Sequence, residues 1–167
     1  MNKNYFGIYK PDTLKLHVIY EYNSKGIKNI FFANNNLQLK IIKKIVSKNA
    51  AKNQNNEFQK IFNLYFIKKI DLPDIPLDIK FTSFQNEVLS HLRKNIKFGQ
   101  NITYLRLGEK VFNSKNYSRA VGNAMNKNPV PLYFPCHRVI GANNTLVGFG
   151  SGIKIKKLLL KFENILQ

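Results

Sequence analysis

Alternating apolar and polar residues dominate the first part of the chain. Residues 5–9 and 14–22 alternate in this way, and residues 29–32 are largely apolar. With turn residues between them, these runs predict three strands of an antiparallel meander. Apolar residues then recur at helical spacing over residues 37–48, which predicts a helix with one buried face. That face comprises Leu37, Ile41, Ile42, Ile45 and Val46.

A linker pattern follows in the middle of the chain. Residues 58–70 are apolar and fit a helix, although their aromatic side chains leave a strand open. Two prolines and two acids in residues 71–76 then predict a linker. We therefore expect an α+β fold with two domains. Residues 1–80 would form a small α/β domain with an antiparallel sheet, and residues 81–167 a mainly helical domain.

The helical half begins and ends with clear helix signals. Thr82 and Gln85 have the spacing of a capping box, and an apolar stripe follows until a turn near Phe98. A last helix is expected over residues 153–166, with an apolar stripe along one side. We expect its lysines on the solvent side: Lys154, Lys156, Lys157 and Lys161.

Between these signals lie two short helices joined by a turn. The first is predicted over residues 103–111 and the second over residues 117–127, with Asn116 as the cap of the second. The second helix is basic and presents small residues, which is typical of a helix-turn-helix that reads DNA. An ordinary helical hairpin that packs a core fits the same pattern.

The charge of the chain points towards a polyanionic partner. Lysine and arginine number 27 against nine acidic residues, a formal net charge of +18, which suits nucleic acid or an acidic membrane surface. An AT-rich coding sequence would also enrich lysine, asparagine and isoleucine. Arginine occurs at only four positions, where a planar, stacking or bidentate role is expected. These are Arg93, Arg106, Arg119 and Arg138.

Other classes of protein are disfavoured. No apolar run approaches a membrane span, and the start of the chain lacks a signal-peptide pattern, so we expect no membrane association and an intracellular location. One cysteine cannot form an internal disulfide, and the three histidines lie far apart in sequence. We expect neither a metal nor a cofactor.

The only cysteine lies in a stiff segment. Three of the six prolines precede it closely, so the backbone leading to Cys136 is extended and rigid. His137 follows directly, and an imidazole can activate a thiol as a nucleophile. Two objections stand: lone cysteines are often small buried hydrophobes, and adjacent side chains on a strand point to opposite faces. The pair could cooperate across a turn or through a bridging water.

Several motifs together resemble a known family. Residues 81–163 are similar to the catalytic domain of the O6-alkylguanine-DNA alkyltransferases, also called methylated-DNA–protein-cysteine methyltransferases. The likeness rests on Ser83-Phe84-Gln85, Phe98-Gly99, Ile102-Thr103-Tyr104, Arg119-Ala120-Val121-Gly122, Ala124-Met125, Asn128-Pro129 and Pro135-Cys136-His137-Arg138-Val139-Ile140-Gly141. The first 80 residues carry only a loose likeness to the family's N-terminal domain.

The resemblance implies a repair reaction in which each molecule acts once. The alkyl group of O6-alkylguanine, or the methyl group of O4-methylthymine, would move irreversibly to Cys136. His137 would relay a proton through a bound water to Glu163, which removes the objection to adjacent side chains. Asn128 would tie the recognition helix to the cysteine segment.

The resemblance also implies how DNA is bound. The protein would bind duplex DNA through the minor groove as a monomer, with Arg119 occupying the space of a flipped base and Tyr104 contacting that base. Other DNA contacts are expected at Thr103, Ala120, Gly122 and Asn123. The alkyl pocket would be formed by Tyr104, Val139, Phe149, Gly150 and Ser151.

The sequence departs from the family in the glycine-rich loop. Phe149 stands where a tyrosine is common and Ser151 where a glycine is common, which bears on tolerance of bulky alkyl groups.

The expected location is the cytoplasm, beside a prokaryotic nucleoid, or the nucleus of a eukaryote. Two other functions fit parts of the sequence: a DNA-binding sensor or regulator without transfer activity, and a thiol hydrolase using Cys136 and His137.

Overall fold

A computed structural model of the protein describes residues 3–167. The chain divides into two compact units, the first ending at Ile79 and the second spanning Lys80–Gln167. The first combines a sheet with two helices, and the second is mainly helical. This mixed content confirms the predicted α+β class. Along residues 3–167 no helix is both long and apolar enough to cross a membrane.

The first unit is built on a four-stranded sheet. Its strands are β1 (Tyr5–Tyr9), β2 (His17–Asn23), β3 (Gly26–Ala33) and β4 (Ala51–Lys52), in the order β3-β2-β1-β4. The pairs β1-β2 and β2-β3 are antiparallel, as predicted for the meander. The parallel strand β4 was not predicted, because two residues carry no periodicity.

The second strand begins later than predicted. It starts at His17 rather than at residue 14, although Leu16 is fully buried just before it. The buried Leu16 side chain extends the apolar alternation of the strand, although residues 14–16 do not pair with a neighbouring strand.

Two helices complete the first unit. They are α1 (Asn36–Val46) and α2 (Asn56–Phe66), and the side chains of Asn35 and Asn55 cap their N-termini. Residues 56–66 are therefore helical despite their aromatic content, because four of these side chains face the core at helical spacing. These are Phe58, Phe62, Tyr65 and Phe66.

The buried face of α1 differs from the prediction. Ile42 and Val46 pack against the sheet, whereas Leu37, Ile41 and Ile45 are half or more exposed. The helix carries two neighbouring apolar rows, and only one of them can face a sheet. The prediction of a buried face was therefore wrong for the row that contains Leu37, Ile41 and Ile45.

Four helices form the second unit. They are α3 (Ser83–Asn95), α4 (Tyr104–Phe112), α5 (Ser118–Asn126) and α6 (Ile153–Phe162). The predicted capping box of Thr82 and Gln85 is present at the start of α3. Strands β5 (Ile102–Thr103) and β6 (Val139–Ile140) pair in parallel and join the start of α4 to the segment after Cys136.

The connection between α4 and α5 contains a 3-10 turn that was not predicted. Asn113 ends α4 in the left-handed conformation, and a 3-10 turn over Lys115–Tyr117 leads into α5. Ser114 caps this turn, while Tyr117 precedes α5 without a side-chain cap. The predicted cap at Asn116 was wrong, because the 3-10 turn moves the capping position back to Ser114.

Candidate active site

The cysteine lies at the start of a short 3-10 helix, Cys136–Arg138, and its side chain is buried. The Asn128 side-chain amide donates to the Cys136 Sγ at 3.1 Å and to the Phe134 carbonyl at 2.8 Å. The Cys136 amide donates to the same carbonyl at 2.7 Å. Asn128 therefore links the segment after α5 to the sulfur.

Burial keeps this sulfur protonated at neutral pH. Desolvation raises the pKa of Cys136 to about 11, although the Asn128 hydrogen bond and the charge of Lys156 act in the opposite direction. The resting group is thus a thiol. It becomes a nucleophile only when a base removes its proton during the reaction.

A buried ionic cluster lies beside the cysteine in sequence. His137 Nε2 lies 2.7 Å from Glu163 Oε1, and both side chains are buried. Arg138 binds the same carboxylate in two places, through Nε to Oε2 at 2.8 Å and through Nη2 to Oε1 at 3.0 Å. Its Nη1 donates to the Ile96 carbonyl at 2.8 Å. The Gly99 amide adds a bond to Oε2 at 3.3 Å.

The cluster fixes the charges of its members. Burial alone would raise the pKa of Glu163, but the interactions with His137 and Arg138 outweigh it and lower that pKa to about 2. Burial lowers the pKa of His137, against the opposing attraction of Glu163. A neutral imidazole facing a carboxylate carries its proton on Nε2, which makes Nδ1 the basic atom.

Arg138 belongs to the quoted motif, and the sequence predicted no partner for it beyond the planar, stacking or bidentate role expected of each arginine. Its bidentate contact with Glu163 is the geometry that arginine favours and lysine cannot supply. The available signal was its rarity, since this chain uses lysine at most of its basic positions. It keeps the carboxylate charged and oriented towards His137.

Lys156 corrects a prediction. It was expected on the solvent side of the last helix, but its side chain is fully buried. Its Nζ donates to the Val139 carbonyl at 2.6 Å, the Val147 carbonyl at 2.9 Å and the Gly148 carbonyl at 3.3 Å. The ammonium group thus ties the segment after Cys136 to the glycine-rich loop.

Tyr104 lies next to this ammonium. Its hydroxyl donates to the Val147 and Gly148 carbonyls, each at 3.1 Å, and Lys156 Nζ approaches the same hydroxyl at 3.5 Å. Burial lowers the pKa of Lys156 to about 8, and burial raises the pKa of Tyr104 to about 12. Lys156 is therefore mostly charged at neutral pH, and Tyr104 is a hydroxyl donor.

The predicted DNA-contacting residues lie on or beside α5. Arg119 and Asn123 are exposed, while Ala120 and Gly122 are partly exposed between them. A Cβ added at Gly122 would lie 3.9 Å from the Tyr104 ring, so the small residue lets Tyr104 approach the helix. Thr103 instead uses its hydroxyl oxygen to cap α4, accepting the Arg106 amide at 3.2 Å.

The predicted pocket residues are divided between strand and loop. Val139 is buried in β6, whereas Phe149 and Ser151 are partly exposed and Gly150 is exposed in the loop before α6. A Cβ at Gly150 would lie 3.4 Å from the Asn126 carbonyl, so the loop passes close to the end of α5. Among residues 3–167, no group of three or more histidine, cysteine or acidic side chains could hold a metal ion.

Known proteins share both sequence and fold with this chain. Residues 83–165 match the family model described as 6-O-methylguanine DNA methyltransferase, DNA binding domain. A methylated-DNA–protein-cysteine methyltransferase of Methanosarcina mazei is 37% identical over 142 residues, which cover 84% of this chain and 86% of the relative.

Two crystal structures extend the likeness over nearly the whole chain. O6-methylguanine-DNA methyltransferase from the archaeon Pyrococcus kodakaraensis matches with a TM-score of 0.72 and 26% identity, covering 95% of this chain and 98% of that one. Mycobacterium tuberculosis OGT in complex with DNA matches with a TM-score of 0.75 and 24% identity, covering 96% and 93%. The second likeness concerns the fold alone.

Proposed function

This chain belongs to the methylated-DNA–protein-cysteine methyltransferase family, and from that membership we propose how its own residues repair DNA. The protein binds DNA and reverses alkylation damage directly, by moving the alkyl group of O6-alkylguanine to its own cysteine. The observation that carries the proposal is the buried Cys136 thiol, held by Asn128 and followed by the His137–Glu163 pair. O4-methylthymine is a second proposed substrate.

The proposed transfer is a single displacement. The Cys136 thiol gives its proton to His137 through a bound water, and the imidazolium formed is stabilised by the Glu163 carboxylate. The sulfur then attacks the methyl carbon, an S–C bond forms, and the C–O6 bond breaks with its electrons passing to guanine. Guanine takes up one proton, which balances the one the thiol lost. The thioether does not reverse, so each molecule acts once.

Reaching the methyl group requires the base to leave the duplex. We assign α4, the connection and α5 as a helix-turn-helix whose second helix enters the minor groove, with the backbone brought close by Ala120 and Gly122. Arg119 is exposed on this helix and would fill the space of the flipped base. We propose Asn123 and Thr103 as further DNA contacts.

The flipped base would lie between Tyr104 and the glycine-rich loop. Tyr104 would exchange its hydrogen bonds to the Val147 and Gly148 carbonyls for one to the base. The Cys136 and Val139 carbonyls would accept the exocyclic amine of guanine. Phe149, Gly150 and Ser151 would form the pocket wall for the alkyl group, and Phe149 offers no hydroxyl.

We place both DNA binding and transfer in the second unit, taken as residues 81–167, and assign the first unit, residues 1–80, no step of the reaction.

We propose that the protein works as a monomer without metal or cofactor. Because its substrate is genomic DNA, it acts where the genome is, in prokaryotic cytoplasm or in a eukaryotic nucleus. A sensor without transfer is not favoured, since the relatives are named as transferases and Cys136 is present.

The stoichiometry of repair tests this function. With an excess of duplex carrying O6-methylguanine, repair should stop when one base per protein molecule has been restored. Counting restored guanine against protein over time gives this ratio. Continued repair beyond one equivalent would contradict a one-time transfer, and no repair with tight binding would favour a sensor.

We expect the planar shape of the Arg119 guanidinium to contribute more to the transfer rate than its charge does. Arg119→Ala should slow transfer by an amount equivalent to a few kcal/mol, roughly the cost of unstacking a base without replacing it. Arg119→Lys keeps the charge but lacks the planar guanidinium, so it should recover DNA affinity more than transfer. Single-turnover rates and DNA dissociation constants at one fixed salt concentration separate these effects. Equal rates for Arg119→Lys and wild type would contradict the assignment.

Lys156→Met should slow transfer and shift its pH profile. Loss of the buried cation removes the bonds to Val139 and Val147 and raises the pKa of Cys136, because Lys156 favours the thiolate. The transfer rate at neutral pH should therefore be lower, and the difference from wild type should shrink above about pH 8, where wild-type Lys156 loses its own charge. Lys157→Met, which alters the exposed neighbour, is the control. A profile unchanged in Lys156→Met would contradict this role.

A further inference from the structure

We propose that Arg93 is a positioning residue for the transfer, acting through Tyr133 to hold the segment that carries Cys136. The inference rests on the proposed function, to which it adds a residue outside the family motifs quoted above. Arg93 lies on α3 and Tyr133 in the proline-rich segment before the cysteine.

Arg93 makes two contacts with Tyr133. Its guanidinium carbon lies 3.7 Å from the centre of the Tyr133 ring, at stacking distance. Its Nη1 donates to the Tyr133 carbonyl at 3.2 Å. One planar side chain therefore fixes both the ring and the backbone of a buried residue.

The backbone at this point needs support. Leu132 has φ of 75°, in the left-handed region that residues other than glycine seldom adopt. Such a conformation persists only when its surroundings hold it. The next carbonyl, that of Tyr133, is the one that Arg93 binds. The arginine thus supports the strained turn from a neighbouring helix.

The support extends to the sulfur through Phe134. The Tyr133 and Phe134 rings meet edge to face with centres 4.9 Å apart. The Phe134 carbonyl accepts both the Asn128 side-chain amide and the Cys136 backbone amide. A shift at Tyr133 would move Phe134, and with it the two groups that orient the sulfur.

The choice of residue supports this role. Only four basic positions are arginine, and Arg93 is one of them. Lysine could reach the Tyr133 carbonyl, but its compact ammonium cannot both lie flat on the ring and hold a directed bond to the backbone. Arg93→Lys therefore separates the planar role from the charge.

Single-turnover transfer at saturating DNA is the decisive measurement. Arg93→Ala should lower the limiting rate constant about tenfold, because small misplacements of a reacting atom slow a reaction strongly. Arg93→Lys should stay slow although it keeps the charge. Lys94→Ala, which removes an exposed charge from the next position of α3, should leave the limiting rate unchanged. A normal limiting rate in Arg93→Ala, or full recovery in Arg93→Lys, would overturn the inference.

A double-substitution cycle tests the route through Tyr133. Tyr133→Leu removes the ring and keeps the carbonyl. If both residues act through one route, the double variant with Arg93→Ala should transfer only slightly more slowly than the slower of the two single variants. Independent, multiplicative effects would contradict a shared pathway.

Hydrogen exchange of the Cys136 amide provides a DNA-free readout. The amide should exchange faster in Arg93→Ala than in wild type or Lys94→Ala, because the segment is less firmly held. Unchanged exchange would count against the inference. If wild type transfers no methyl group, the proposed function fails, while the exchange result still decides whether Arg93 holds the segment.

Discussion

Cys136→Ala protein should bind a duplex containing O6-methylguanine as tightly as wild type and accept no methyl group. The sulfur is the only proposed acceptor. Alanine keeps the backbone carbonyl of residue 136 that we propose binds the base, and the side chains proposed to contact the duplex lie on α5 and at Thr103 and Tyr104 at the start of α4. The fold should persist, because alanine removes one buried atom and Asn128 keeps its bond to the Phe134 carbonyl. We expect a stability change within about 1 kcal/mol.

Two measurements on the same sample check this prediction. Transfer of a labelled methyl group from DNA to protein should fall to background, while a binding titration gives an unchanged dissociation constant. Asn128→Ala is a useful comparison, since it keeps the acceptor but removes the amide bonded to Sγ, and it should transfer slowly rather than not at all. Methyl uptake by Cys136→Ala would show that another residue is the acceptor.

Glu163→Gln should cause a large loss of stability together with slow transfer. The carboxylate faces His137 and binds Arg138 twice, and all three side chains are buried. A neutral amide leaves the Arg138 charge without this carboxylate partner. Breaking a buried pair in this way costs roughly 3–5 kcal/mol. Denaturant unfolding should show the loss directly.

The same cluster gives stability a defined pH dependence. The pKa of Glu163 is lowered to about 2 in the folded protein, below the unfolded value of about 4.3. A carboxyl group of this kind stabilises the fold above its unfolded pKa and loses that contribution as pH falls through the folded pKa. The linked stabilisation is roughly 3 kcal/mol. Stability should therefore fall between about pH 5 and pH 2, and the fall should be smaller in Glu163→Gln.

Glu109→Gln is the matched control for this prediction. Glu109 on α4 is 21% exposed, and it pairs with Arg106 at 3.1 Å and with Lys115 at 3.7 Å, whose side chains are 70% and 74% exposed. Exposed pairs contribute little, so this variant should unfold within about 1 kcal/mol of wild type. A comparable loss in both variants, or none in Glu163→Gln, would contradict the role given to the buried cluster.

Much of the fold could be predicted from local patterns. Residue patterns within single elements predicted the strands of the meander, the capping box and the helices of both units. The two-residue strands β4 and β6 could not be predicted, because pairing with distant residues defines them. The buried row of α1 was equally undetermined, since only the sheet selects Ile42 and Val46 over the row containing Ile41.

The site was less accessible to prediction from residues alone. Cys136 and His137 stand out by their segment, but Glu163 entered only through resemblance to a family, because a single glutamate near a helix end looks like a surface residue. Lys156 was misplaced because its charge suggested solvent. It lies in the same row of α6 as buried Leu160, one turn away, so the spacing carried the signal that the charge obscured.

The intact mass of the protein, measured after incubation with duplex DNA containing O6-methylguanine, tests the central claim most directly. We predict a gain of one methyl group per molecule, found by peptide mapping on Cys136 and never more than one under excess DNA. A protein of unchanged mass that has bound the duplex, or a methyl group on any other residue, would contradict the account.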